Sequence, residues 1–209
     1  MGLTARRLGQ RELLLEAAYE LVADVGIDGL RTRDICKQAD LNLAVFHYCF
    51  ASKDDFLTSL YQYIVERFRI ATERFLADAH EPSEQLEALI RLRAHLTHHM
   101  ARDLKVWRVF QNLSETNLVV REILKSHFGI QRERIAEVVN RGIREGQFRA
   151  LPSRDPDVVA AMIVSLQNGL IMQLGIDAEA FDADVYAESV VLWITGGHES
   201  SSARYNQLS

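Results

Sequence analysis

Apolar residues recur with helical spacing along nearly the whole chain. Between 10 and 25, Leu14, Ala17, Ala18, Leu21 and Val25 stand at i, i+3, i+4, i+7 and i+11, and Glu12, Glu16, Glu20 and Asp24 lie opposite. One face is built for a core and the other for water. Gly26 follows where a left-handed residue closes a helix. The spacing predicts a short second helix over 32–39, with Ile35, Cys36 and Ala39 inward, and a turn at Asp40-Leu41. Asn42 then caps a third short helix reaching about Phe50, with Leu41 and Phe46 placed as a hydrophobic staple. Ser52 caps a long helix to about Ala79, with Asp54 and Asp55 in the first turn, where the helix dipole favours acids.

The pattern continues beyond residue 80. Residues 83–102 are amphipathic through Leu86, Leu89, Leu96 and Met100, and 105–113 form a short helix with Trp107 and Phe110 one turn apart. Residues 118–145 make a long helix that closes at Gly146. Asp155-Pro156, a cap followed by proline at the first helical position, opens a helix that runs to about Leu174 and stops at Gly175. Residues 182–195 form the last helix, and 199–209 read as a polar tail. No window alternates at period two long enough for a strand, and no internal repeat is visible. The expected fold is all-α with about nine helices. It divides into a helix-turn-helix domain over 1–52, a helical domain over 53–198 entered through the long helix, and the tail.

Composition changes this picture little. The chain has 209 residues, 48% of them hydrophobic, enough for one or two packed domains and too rich for disorder. Two cysteines make no disulfide framework, and nothing resembles a signal peptide. The longest uninterrupted apolar run, 158–164, is far shorter than the roughly 20 residues of a membrane span. The expectation is a reduced, cytoplasmic, soluble protein with no membrane partner. The net charge of −5 gives no bulk attraction for nucleic acid, so any such role rests on local patches. The clearest is the start, where Arg6, Arg7 and Arg11 precede the first acid, Glu12.

Two short helices and a tight turn after a longer helix form a helix-turn-helix pattern. With Phe46 facing the core, Asn42, Leu43, Cys49 and Phe50 fall within about 60° of it at 100° per residue, while Ala44, Val45, His47 and Tyr48 point sideways or outward. Such a face suits a major groove, since Ala and Val can meet thymine methyls and Tyr or His can bond phosphates. The same face could pack on a neighbouring helix, and spacing alone does not choose between them.

The segments AAYELVADVGIDGLRTRDI and FHYCFASKDDFL resemble the DNA-binding domain of the tetracycline-repressor (TetR) family of bacterial transcriptional regulators over residues 10–60. GIREGQFRALPSRDPD resembles the boundary before that family's dimerisation helices. The resemblance implies that Thr32 and Arg33 open the helix lying over the DNA backbone. It lets Arg33 reach a base and places Leu43, Ala44 and Val45 at base-contact positions, His47 where a phosphate-bonding Tyr is usual, and Lys53 where a phosphate-contacting Lys is usual; Asn42 and Tyr48 of the same helix complete the candidate DNA contacts. Asp40 replaces a common Gly, Cys49 a common aromatic or His, and Arg31 a common Ser or Thr cap. The wheel and the resemblance disagree over Leu43. The resemblance implies a ligand-responsive regulator, a repressor that binds a palindromic operator as a homodimer and is released by an unidentified small molecule.

The helix from 155 to 174 is apolar almost all round, and the last helix is similar, so a symmetric partner is expected to cover them. Met162, Leu166, Leu170, Val191 and Ile194 are the expected interface residues; an ordinary monomer core is the alternative. Trp107, Phe110, Met100 and Asn168 are candidates for the wall of an effector pocket, and Trp107 and Phe110 could instead be plain core. His95 and His99, four residues apart, could share a metal, but both lie at the edge of the apolar stripe and no cysteine is near. Cys36 and Cys49 are core-directed, the inert arrangement for a thiol. No cofactor or metal is implied. The chain has no GxSxG, P-loop, HExxH or dinucleotide fingerprint, so an enzyme is not expected. A helical protein-binding adaptor reusing the helix-turn-helix, or a metal- or redox-responsive regulator, remain as other readings.

Overall fold

A computed structural model describes residues 3–99, 101–148 and 155–195, with side chains over 6–93, 102–148 and 155–194. Nine helices and no strand lie among the described residues: α1 (Leu3–Gly29), α2 (Thr32–Gln38), α3 (Leu43–Cys49), α4 (Lys53–Leu76), α5 (Pro82–His99), α6 (Ala101–Leu113), α7 (Leu118–Arg144), α8 (Pro156–Ile176) and α9 (Ala183–Thr195). The all-α fold expected from periodicity is the one observed. The polar tail from 199 lies outside the described residues. Two compact units are present. The first holds the described residues of Met1–Arg69 with Arg102–His127, and the second those of Ile70–Ala101 with Phe128–Ser209.

Most helix ends follow their capping residues. Asp155 accepts from the Asp157 N–H at 3.0 Å ahead of Pro156, and Asp182 accepts from the Asp184 and Val185 N–H groups at 2.9 and 3.0 Å. Ser52 accepts from the Asp55 N–H at 3.0 Å while the Asp55 carboxylate takes the Ala51 N–H at 2.8 Å, a reciprocal arrangement that fixes the start of α4. At the end of α2, the Asp40 and Leu41 N–H groups reach back to the Lys37 and Cys36 carbonyls at 3.3 and 2.9 Å. This closure puts Asp40 at φ +53°, the left-handed conformation that Gly146 supplies in the same motif after α7.

Several expectations need correction. Gly26 has φ 69° and ψ −179°, an extended glycine conformation rather than a left-handed helical one, and it breaks α1 before a last turn at 27–29. Val25, expected inward, is 49% exposed at that break. Gly175 does not stop α8. The helix passes through it to Ile176, and the Asp177 N–H closes on the Gln173 carbonyl at 2.9 Å.

In the second unit α5 packs against both α8 and α9. Leu86, Leu89 and Ile90 of α5 are buried, as are Val159, Ile163 and Leu170 of α8 and Ala187, Val191 and Ile194 of α9. The Gln167 amide donates to the Leu89 carbonyl at 2.7 Å, which satisfies both polar groups inside this core. Of the residues expected at a subunit interface, Leu170, Val191 and Ile194 are thus covered by their own chain, and Met162 and Leu166 are half-buried. The apolar side left open carries Val158, Met172 and Ile176 on α8 and Val185, Leu192 and Trp193 on α9. By length and composition α8 could cross a bilayer, yet 44% of its most apolar window is buried within the fold.

Candidate nucleic-acid interface

α3 owes its start to Asn42, whose side-chain oxygen accepts from the Val45 N–H at 3.0 Å. Phe46 then meets Phe50 and Phe56 at ring-centroid distances of 5.0 and 5.1 Å, and Cys49 is buried beside them. Two turns of helix offer one inward stripe, and Phe46, Cys49 and Phe50 fill it. Leu43 therefore stays outside the core, 40% exposed, and not inward as the wheel placed it. Ala44 and His47 are exposed, Tyr48 is 54% exposed, and Val45 is half-buried.

Cations flank this face. Arg33 on α2 and Lys53 at the first position of α4 are exposed, and among the described residues neither is held in an ion pair. Thr32 is half-buried, and Arg31 precedes α2 without a side-chain cap, as its replacement of a hydroxyl residue implies. A concavity of about 280 Å³ lies beside them, floored by Ile35 and Phe56 and rimmed by Thr32, His47, Ser52 and Lys53.

The three N-terminal arginines do not behave alike. Arg6 is exposed, and Arg7 lies 5.1 Å from the Tyr48 ring centroid in a cation–π contact at the edge of the α3 face. Arg11 is turned to structural use. It stacks 5.0 Å from the Phe50 ring, pairs with Asp55 at 3.5 Å and donates to the Ser59 hydroxyl. Chemically, the assembly presents apolar and aromatic groups of the kind that read base edges, between unpaired cations of the kind that hold phosphates.

Burial pushes the Cys36 thiol up, and it pushes Cys49 up against the opposing pull of Arg7 and Arg11, so neither environment favours the reactive thiolate. The side chains of His95, His99 and Met100 lie outside the described residues. Among the described residues no group of three or more metal-binding side chains is assembled.

Behind the helix-turn-helix, in the same unit, Trp107 and Phe110 of α6 pack around Tyr61. Both are buried, and their rings lie 6.1 and 5.2 Å from Tyr61. Phe68 and His127 add contacts to Trp107 at 5.5 and 4.8 Å. The Tyr61 hydroxyl finds no protein partner among the described residues, and burial drives this phenol far above its usual pKa. Asn168 belongs to the other unit, where its amide donates to the Val164 carbonyl of its own helix at 2.8 Å.

One constellation was invisible in the sequence. Asp103, in the first turn of α6, is buried and accepts from the Arg67 Nε of α4 at 3.0 Å. The Arg67 guanidinium lies 4.4 Å from the ring of Tyr19 on α1, and the Asp103 carboxylate is near enough for its charge to act on the Tyr19 phenol. Burial and the Asp103 charge drive the Tyr19 phenol well above its usual range. Burial opposes the charge on Arg67, and Asp103 more than restores it. By pattern alone Asp103 is an ordinary first-turn acid, so no sequence signal marks it.

The model of bacterial regulatory proteins of the tetR family matches residues 14–60, and that of the BetI-type transcriptional repressor, C-terminal, matches residues 82–194, over half of the chain. The chain belongs to the TetR family. Among TetR-family relatives, the HTH-type transcriptional regulator BetI of Stenotrophomonas maltophilia is 28% identical over 82 residues, 39% of this chain and 42% of that protein. The chain thus spans less than half the length of this curated relative. A TetR transcription regulator from Haloarcula marismortui superimposes with a TM-score of 0.79 at 17% identity, covering 90% of this chain and 97% of the other. A transcriptional regulator from Saccharomonospora viridis in complex with choline gives a TM-score of 0.75 at 24% identity, covering 86% and 92%. The structural likenesses establish the shared fold, and the family models establish membership of the tetR family of bacterial regulatory proteins.

Proposed function

We propose that this protein is a cytoplasmic repressor that binds a palindromic DNA operator as a homodimer and is released by a small molecule. The observation that carries the reading is the exposed face of α3, where Leu43, Ala44, His47 and Tyr48 lie open to solvent beside Arg33 and Lys53, which form no ion pair among the described residues. In this reading Asn42, Leu43, Ala44 and Val45 meet base edges. Thr32, His47, Tyr48 and Lys53 hold phosphates, and Arg33 reaches one base. DNA binding is the work of residues 1–52, and effector binding and dimerisation that of 53–198.

A second copy covers the open apolar side of α8 and α9, with Met162 and Leu166 at its border. The effector enters against Trp107 and Phe110. Aromatic faces suit an onium cation, and choline, which the Saccharomonospora viridis neighbour holds, is the first probe. The repressor assignment draws on the C-terminal match to BetI-type repressors.

Selection from random duplexes tests the DNA reading and should enrich a palindrome. Lys53→Ala should then weaken binding to all sequences and lower the salt slope by about one, whereas Arg33→Ala should relax one base position per half-site. A selection that enriches no palindrome would favour the protein-binding adaptor instead.

A further inference from the structure

Three helices of the first unit meet at one carboxylate. Asp103 of α6 takes the Arg67 Nε of α4, and both engage Tyr19 of α1. Tyr63 sets its ring 6.1 Å from that of Tyr19. One residue earlier, Arg102 donates to the Glu20 carbonyl at 2.6 Å and lies 3.4 and 3.6 Å from the Glu20 and Asp24 carboxylates, a second tie between α6 and α1. α1 in turn packs on both α2 and α3. Trp107 is four residues beyond Asp103, on the same face of a rigid helix, so a displacement felt at one is felt at the other.

Resting on the reading of a DNA-binding regulator with an effector site at Trp107, we propose that Asp103 is the positioning residue that couples that site to the DNA-reading helices. With Arg67 and Tyr19 it holds α6 against α1 and α4 in the operator-competent arrangement. Movement of α6 at Trp107 draws the carboxylate off Arg67 and lets α1 carry α2 and α3 out of position. A buried ion pair suits this task because it has one good geometry and tolerates intermediate ones poorly.

The coupling is reciprocal, so it can be read without an effector. In effector-free protein on the selected operator, Asp103→Asn should lower affinity about tenfold. The salt slope should be unchanged, because the complex once formed keeps its phosphate contacts. The double variant R67M/D103L replaces the pair with apolar side chains and should show the same loss at a melting temperature close to the parent's. Saturating operator should shift Trp107 emission in Trp193→Phe protein and fail to do so when R67M/D103L is added. Should both Asp103 variants misfold, Arg102→Ala, an exposed change, decides: a two- to threefold loss of affinity supports the coupling, and parental affinity overturns it. Parental affinity in R67M/D103L, or Trp107 emission blind to operator in the otherwise unaltered protein, overturns it as well. Absence of any enriched operator would sink the DNA reading beneath it, whereas these failures on a genuine operator sink the coupling alone.

Discussion

Met172 and Leu170 lie two residues apart on α8, and the structure assigns them opposite fates. Leu170 is 2% exposed inside its own unit, and Met172 is 59% exposed on the open side of the helix. If a second copy covers that side, hiding the remainder of each Met172 contributes about 1–2 kcal/mol, from the 1.5–3 kcal/mol of a fully buried aliphatic side chain. The two-fold axis of a homodimer uses the residue twice, so about 2–4 kcal/mol depends on it. Met172→Glu forfeits that amount and adds the cost of desolvating two carboxylates. The dimer dissociation constant should rise at least about 30- to 700-fold, at tenfold per 1.4 kcal/mol. Sedimentation velocity at micromolar concentration reads this directly: the parent should run as a dimer and Met172→Glu as a folded monomer with nearly the parent's helical content. Leu170→Glu should behave differently, burying an unpaired charge in the subunit core and costing about 4 kcal/mol or more of folding stability. A parent that sediments as a monomer would refute the reasoning, and so would a Met172→Glu protein that dimerises as tightly as the parent.

Other outcomes follow from single side chains. Asp40→Gly should raise stability by about 0.5–1 kcal/mol, read from the denaturation midpoint, since it relieves the φ of +53° that Asp40 adopts. Tyr61→Phe removes a buried hydroxyl that has no protein partner among the described residues and should stabilise the protein by about 1 kcal/mol at neutral pH. Burial raises the native phenols of Tyr61 and Tyr19, so above the unfolded value of about 10 the unfolded chain loses protons that the native chain keeps. Stability should therefore fall as pH rises beyond about 10, less steeply in Tyr61→Phe; equal alkaline slopes would count against this. In Trp193→Phe protein, a compound that releases operator, with choline tried first, should perturb Trp107 emission. Trp107→Ala should blunt that release more than it lowers effector-free DNA affinity.

Helix number, order and most boundaries were legible in the chain because they depend on interactions within one turn. Asn42 caps α3 and Asp155-Pro156 opens α8 through their own nearest N–H groups, and the inward Phe46 follows from spacing. The candidate DNA face was legible for the same reason, since a two-turn helix has a single inward stripe. What needed the tertiary structure was every choice that a local pattern leaves degenerate. An almost wholly apolar α8 carries no information about which side meets α5, so Leu170, Val191 and Ile194 read as interface residues and proved to be core. Arg11 looked like one of three equivalent arginines until Asp55, Ser59 and Phe50, more than thirty residues away in sequence, turned it inward. Asp103 carries no pattern at all. Its burial exists only because α1, α4 and α6 bring Tyr19, Arg67 and a carboxylate to one place, and contacts between distant segments have no periodicity to announce them.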